Sequence, residues 1–204
     1  MADNSSFNQI IDDSVNYLET LKQYGIDDFV IKKDSPNLLN YEIMTCNFCG
    51  RDRKIKPIGF KNFPLNIKVL FIVDMPKEPE KKKIFSEDER VLFKNILNAM
   101  KLNINDIFVI PALRCLFLPH EIDGKINDFQ NLPCSDFLKR AIKFLNPFCI
   151  CFLGNDLFNK INVNSNEIIK ENKVFSTHSL TSLITNPELK KDSWGIFQKI
   201  MDLV

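Results

Sequence analysis

Three continuous runs of apolar residues constrain the fold of this chain more than any other feature of its sequence. The runs are VLFIV at residues 69–73, IFVI at residues 107–110 and FCICFL at residues 148–153. Short apolar runs of this kind are typical of strands buried on both faces of a sheet. Segments with helical periodicity separate them. The sequence therefore predicts an α/β fold, a three-layer α/β/α sandwich with a central, mostly parallel sheet.

Further elements complete the predicted sandwich. The first helix of the body includes Val91 and Met100, and Ser86 and Glu89 have the spacing of a capping box at its start. The other predicted elements are helices over residues 137–145 and 194–203 and a brief strand at 174–175. Ligands of parallel sheets bind beyond the carboxyl ends of the strands, which directs attention to residues 74–83, 111–114, 154–156 and 177–180.

The N-terminal segment has a different pattern. Residues 6–24 carry apolar side chains at helical spacing, and Gly25 is expected to end this helix. Residues 27–41 contain turn-forming residues without a sustained period, which predicts a connector. We therefore expect residues 1–40 to form a helical extension and connector, and residues 41–204 to form the α/β domain. Whether the extension recruits a protein partner is left open.

The charge balance and the cysteine content narrow the function classes. The chain has 27 Lys and Arg residues against 26 Asp and Glu residues, so any contact with nucleic acid must come from a local patch. It has no signal-peptide pattern and no apolar run of membrane-spanning length, so we expect a cytoplasmic protein without membrane contact. In a reducing compartment, the six cysteines favour metal ligands or redox groups over disulfides.

Four of the cysteines are candidates for one metal centre. They are the C-x-x-C pair Cys46 and Cys49 together with Cys115 and Cys134. A shell of four thiolates holds either zinc or a 4Fe-4S cluster, and the alternative is that some of these residues are ordinary buried thiols. Cys149 and Cys151 share one face of a predicted strand and are expected to pack in the core.

Two polar residues that follow predicted strands are candidates for chemistry. Asp74 comes directly after the first apolar run, where its carboxylate can orient or deprotonate a water; the alternative is a turn or N-cap aspartate. His178 follows the brief fourth strand and can donate a hydrogen bond to a developing anion; the alternative is a solvated or capping residue. The run Lys81-Lys82-Lys83 can meet phosphates or form a solvated face.

From about Thr45 to its C-terminus, the chain resembles the family 4 uracil-DNA glycosylases, the iron-sulfur branch of that superfamily. The resemblance is carried by the C-x-x-C pair, Arg114-Cys115 at the end of a strand, CSDFLKR from Cys134, and LNPFCICFLG at residues 145–154. It implies a DNA-repair enzyme of base excision that flips uracil out of single-stranded or duplex DNA and hydrolyses its N-glycosidic bond. It also favours a 4Fe-4S cluster over zinc at the four cysteines.

The resemblance further implies roles for individual residues. Residues 74–78 (DMPKE) begin at the Glu position of the family's Gly-Glu-Ala-Pro-Gly motif, with Asp74 at the Glu and Pro76 retained. In these roles Asp74 positions the water, His178 stabilises the negative charge on the departing base, and Phe85 stacks on uracil. The remaining substrate-binding candidates are Met75, Pro76 and Pro111.

The chain departs from the family pattern around the expected pocket. Val73 and Lys77 replace the two glycines of the first motif, and Pro111 stands where the family has an Asn. Residues 86–90 (SEDER) replace a Gly-rich stretch, and Ser179 replaces a Pro. These departures keep two alternatives open: a catalytically inactive iron-sulfur protein of glycosylase fold that binds DNA or a protein, and a zinc-stabilised nucleotide-binding domain of unrelated function.

Overall fold

A four-stranded parallel sheet forms the centre of the protein in this computed structural model. The strands are β1 (Val69–Val73), β2 (Ile107–Pro111), β3 (Cys149–Leu153) and β4 (Lys173–Thr177), and they lie in the order β2-β1-β3-β4. All three pairings are parallel. The structure describes residues 13, 15–17, 19–20, 22–25, 35–48, 57, 59–60, 64, 67–77, 83–115, 129–162 and 173–204.

Helices cover both faces of the sheet, which confirms the predicted three-layer sandwich. Side chains of α1, α3 and α4 share one apolar cluster with alternate residues of the strands, including Leu70 and Phe152. Side chains of α2, α5 and α6 share a second cluster with the opposite face, including Phe71 and Leu153. The described helices are α1 (Pro36–Thr45), α2 (Glu87–Ala99), α3 (Pro133–Leu145), α4 (Asn155–Asn162), α5 (Leu180–Thr185) and α6 (Leu189–Met201).

The inner strands explain why the apolar runs are continuous. Every residue of β1 and β3 is buried, because helices pack on both faces and another strand lies at each edge. Strand β4 is longer than predicted, since Lys173 to Thr177 all pair with β3 although several of these residues are polar. Such residues are tolerated on β4 because it lies at the end of the strand order.

Two helix boundaries follow the predicted signals. At the start of α2, the Ser86 hydroxyl accepts from Glu89 N at 3.4 Å and the Glu89 carboxylate accepts from Ser86 N at 3.0 Å, which confirms the capping box. At the end of α3, Asn146 adopts a left-handed φ of 41° and the chain leaves the helix before Pro147. Helices α3 and α6 both begin earlier than predicted.

The predicted connector over residues 27–41 is wrong for its last part, because α1 begins at Pro36. The Ser35 hydroxyl accepts from Leu38 N at 3.2 Å, and Pro36 occupies the first turn, where a missing N–H costs nothing. Leu39 and Ile43, four residues apart, are fully buried in the first apolar cluster. Helices α4 and α5 were not predicted either.

The chain divides into two compact units, Met1–Asp34 and Ser35–Val204. In the first unit, the described residues between 13 and 23 are helical, and Gly25 donates its N–H to Lys22 O with a φ of 75°. This left-handed conformation suits glycine and confirms that the helix ends there. Residues 6–12 lie outside the described part of the chain. No helix among the described residues is long and apolar enough to cross a membrane.

Candidate active site and cysteine centre

The main-chain hydrogen bonds between β1 and β2 continue past the last residue of β1 and fix Asp74. Ala112 N donates to Val73 O at 2.7 Å, and Leu113 N donates to Asp74 O at 2.8 Å. The Asp74 side chain is 35% exposed, so one part of the carboxylate reaches solvent. Its Oδ1 accepts from Met75 N at 2.7 Å, and its Oδ2 lies 3.3 Å from Lys77 Nζ. Each carboxylate oxygen keeps a further lone pair, with which it can hold a water.

A pocket opens beyond the carboxyl ends of β1, β3 and β4, at the edge of the sheet where the parallel arrangement predicted ligand binding. Val73 and Leu153, the last residues of their strands, line it. Of the residues predicted for substrate and chemistry, it brings together Asp74, Met75 and Phe85. Among the lining residues without a predicted role, Lys77, Ser179 and Leu180 lie in the segments that the sequence indicated, whereas Ile84, Glu89 and Thr181 lie outside them.

The other predicted site residues lie near this pocket but do not line it. His178 stands between Thr177, the last residue of β4, and the pocket residue Ser179, and it is half-buried. Pro111 is buried at the end of β2, where it pairs with Val73. Pro76 is buried in the loop after β1.

Phe85 is held by an aromatic stack that begins in the core. Its ring lies 4.9 Å from the Phe93 ring on α2, and the Phe93 ring meets the Phe71 ring of β1 edge-on at 5.1 Å. A main-chain hydrogen bond also holds the residue before Phe85, because Lys77 N donates to Ile84 O at 3.1 Å. The half-buried Phe85 ring is therefore a supported apolar surface in the pocket wall, which a planar base can stack on.

Glu89 is a buried carboxylate in the pocket wall. It is 4% exposed, and its two oxygens accept hydrogen bonds from Ser86 N and, at 2.6 Å, from the Thr181 hydroxyl. It thus ties the start of α2 to α5. On sequence alone it belonged to an acidic segment with Glu87 and Asp88, which are both exposed. The capping-box pattern was the signal that set Glu89 apart.

Three of the four predicted metal ligands border the first apolar cluster. Cys46 follows α1, Cys115 follows β2, and Cys134 lies buried in the first turn of α3. Cys49 lies outside the described residues. Within the described chain, no three Cys, His, Asp or Glu side chains are grouped closely enough to hold a metal ion.

The buried side chain of Arg114 gives a separate indication of the kind of group that the candidate cysteine ligands would hold. Its side chain is 2% exposed, and its guanidinium carbon lies 4.1 Å from the centre of the Phe60 ring. No described residue accepts a hydrogen bond from its Nε or from one of its terminal nitrogens. Burial lowers the pKa of Arg114 to about 10, whereas a negative charge on Cys134 would raise it. A buried cation with unused donors directly before Cys115 in the chain fits an anionic metal–thiolate centre.

Cys149 and Cys151 pack in the second apolar cluster, as predicted, and both are fully buried. Burial raises the pKa of Cys149 to about 11 and also raises the pKa of Cys151. These two thiols therefore stay protonated and are core residues rather than ligands.

The family model of the uracil DNA glycosylase superfamily matches residues 60–199. The chain belongs to this superfamily. The matched segment contains all four strands, the pocket residues, Cys115 and Cys134, and it begins after the C-x-x-C pair. A comparison with curated proteins found no match.

Members of the uracil DNA glycosylase superfamily act on DNA, and several of the positions at which this chain departs from the pattern it resembles line the pocket. Val73 and Lys77 line it, and the Lys77 ammonium lies 3.3 Å from Asp74 Oδ2. Pro111, at the Asn position, has no N–H and pairs with Val73. The fold of this superfamily member is thus the predicted one, whereas residues in and beside its pocket differ from the pattern that its sequence resembles.

Proposed function

We propose that this superfamily member is a DNA glycosylase that hydrolyses the N-glycosidic bond of uracil or of a related damaged base. The observation that carries the proposal is the shared pocket of Asp74 and Phe85 beyond the carboxyl ends of the strands. A carboxylate that can hold water and a ring that can stack on a base serve the attack of water and the binding of the flipped base.

Asp74 is proposed to orient the attacking water. When the glycosidic bond breaks, its electron pair goes to the base nitrogen and the water oxygen bonds to the sugar carbon. The water must lose a proton, and a fixed carboxylate accepts it. Support comes from the hydrogen bonds to Met75 N and Lys77 Nζ, which hold the Asp74 carboxylate in one orientation.

His178 is proposed to stabilise the departing base by donating a hydrogen bond to its developing negative charge. Support comes from its position directly between β4 and the pocket residue Ser179. Lys77, whose ammonium lies 3.3 Å from Asp74 Oδ2, adds a positive charge to the same pocket. This charge favours a negatively charged leaving group.

Phe85 is proposed to stack on the flipped base. Extrusion of a base costs a few kcal/mol of unstacking, and stacking on an aromatic side chain returns about 1–3 kcal/mol per base. Support comes from the contact with Phe93, which fixes the Phe85 ring. Met75 lines the same pocket and completes its apolar wall.

We further propose the iron-sulfur branch of the superfamily, with a 4Fe-4S cluster held by Cys46, Cys49, Cys115 and Cys134. When bound, the cluster would supply a structural crosslink. Its ligands would join the end of α1, the loop after β2 and the start of α3. Support comes from the shared apolar cluster that three of these cysteines border and from the buried Arg114 beside them.

The test is base release by anaerobically purified protein from an oligonucleotide with one uracil, in single-stranded and duplex form. We expect free uracil and an abasic site. If fluorescence anisotropy shows that the protein binds the DNA but no base is released over many hours, the non-catalytic alternative is correct. The Lys77–Asp74 ion pair favours that alternative to the extent that the ammonium competes with water for Asp74 Oδ2.

A further inference from the structure

No described carboxylate pairs with Arg114, although the same region supplies carboxylates to another arginine. Arg140 on α3 bonds Glu42 on α1 and Asp136 on its own helix. Arg114 is instead buried against the Phe60 ring, and no described group accepts from its Nε or from one of its terminal nitrogens. The protein therefore pairs the half-buried arginine with carboxylates and leaves two guanidinium nitrogens of the fully buried one without an acceptor among the described residues.

Such an arrangement is costly unless a ligand completes it. An uncompensated charge in the interior destabilises a protein by more than a contact with an aromatic ring offsets. Unused donors on a buried side chain therefore call for an acceptor. The acceptor must be anionic and must lie within the apolar cluster that surrounds Arg114.

The proposed cysteine-held cluster would supply such an anion. Cys115 is the next residue in the chain, and Cys134 belongs to the same apolar cluster as Phe60, on whose ring the guanidinium lies. Cys46 packs on the same apolar cluster. An iron-sulfur cluster with four thiolate ligands is negatively charged, and its sulfur atoms accept hydrogen bonds.

We infer that Arg114 is the built-in counter-cation of the cysteine-held metal centre and donates hydrogen bonds to its sulfur atoms. This inference rests on the proposed cluster. Arg114 acts on the centre rather than on DNA and is a positioning residue. Removing its charge therefore weakens metal retention and lowers the reduction potential, since an added electron loses a neighbouring positive charge.

The test compares the full-length protein with Arg114→Met, which keeps the length of the side chain and removes its charge, and with Arg114→Lys, which keeps the charge and loses the planar fork of donors. Each protein is loaded anaerobically with iron and sulfide. The readouts are the rate of iron loss to a chelator and the reduction potential from a dye-mediated titration. Arg90→Gln, an exposed site on the opposite face of the sheet, is the control for a lost charge.

We expect Arg114→Met to lose iron about 10- to 100-fold faster than the original protein, with a lower potential. Arg114→Lys should lie between them, and Arg90→Gln should match the original. In the metal-free proteins, loss of the Arg114 charge should not lower the melting temperature. Metal-free Arg114→Met should melt at the same or a higher temperature than the metal-free original, because it no longer buries an unpaired charge. A purely structural role would lower stability in both forms.

The outcomes separate the inference from the proposal on which it rests. If the original protein loads iron and Arg114→Met retains it equally well at the same potential, the inference is overturned and the cluster stands. If the original protein binds neither iron nor zinc, both the cluster and the inference fall. If it holds zinc alone, the 4Fe-4S assignment falls, and equal rates of zinc release from the two proteins would overturn the role of Arg114.

Discussion

At the scale of single residues, the pocket contains two carboxylates in different environments. Asp74 is partly exposed and bonded to Lys77, whereas Glu89 is buried and bonded to Ser86 N and the Thr181 hydroxyl. The sequence predicts that Asp74 lies at the rim, because the residue after a buried strand is there by necessity. It does not predict that Thr181 meets Glu89, because that contact depends on how α2 and α5 pack.

The hydrogen bonds of Glu89 predict a specific loss of stability. Glu89→Ala leaves Ser86 N and the Thr181 hydroxyl without their acceptor, so we expect the free energy of unfolding to fall by about 1–3 kcal/mol. The measurement is urea denaturation at neutral pH. Glu87→Ala is the matched control: it removes an exposed carboxylate from the same turn and should change stability by about 0.5 kcal/mol or less. Equal losses in the two variants would contradict the role of Glu89 as a tie between helices.

The buried thiol of Cys149 predicts a loss of stability at alkaline pH. Its pKa in the folded protein is about 11, above the value of about 8.5 for an exposed thiol. Between these pH values the unfolded chain has released the proton and the folded chain has kept it, so stability falls as pH rises. The slope is up to about 1.4 kcal/mol per pH unit for this thiol, and no loss from it is expected below pH 8 or so.

Urea midpoints between pH 7 and pH 11 measure this slope. Cys149→Ala should flatten the alkaline decline, although Cys151 contributes in the same direction because burial raises its pKa as well. An unchanged slope in Cys149→Ala would show that the thiol titrates equally in the folded and unfolded protein.

At the scale of elements, the sequence predicts the sheet better than the helices. The strands were readable because burial on both faces makes their apolar residues consecutive. Helix α1 was hidden because Ser35 and Pro36 are signals of turns as well as of helix starts. The deciding information is the burial of Leu39 and Ile43 in the first apolar cluster, which is a property of the packed molecule. The start of α5 is ambiguous in the same way, since Ser179 caps it.

The cap of α1 predicts a moderate loss of stability. Ser35→Ala removes the acceptor of Leu38 N, so we expect the free energy of unfolding to fall by about 1 kcal/mol. Thr45→Ala at the other end of the helix removes an exposed hydroxyl that bonds Tyr41 O and should cost less than about 0.5 kcal/mol. The measurement is the urea midpoint of each variant. A Ser35→Ala midpoint equal to that of Thr45→Ala would show that the Ser35 cap does not stabilise α1.

At the scale of the whole molecule, the described candidate metal ligands and most of the apolar pocket lining belong to different faces of the sheet. Cys46, Cys115 and Cys134 border the apolar cluster of α1, α3 and α4, whereas Val73, Leu153 and Leu180 of the pocket belong to the cluster of α2, α5 and α6. The parallel topology made the position of the pocket predictable, because all strands end at one edge. It could not reveal that Lys77 pairs with Asp74, since side-chain conformation in a loop has no periodic signature.

The most direct test of the proposed glycosylase is single-turnover release of uracil with Asp74→Asn. The amide keeps the shape of the side chain but cannot accept a proton from water, so we expect release to slow by about 10²- to 10⁴-fold while DNA binding persists. Asp202→Asn, an exposed site after the last helix, should release uracil at the original rate. Release by Asp74→Asn at the same rate as Asp202→Asn would contradict the assignment of this pocket as the active site.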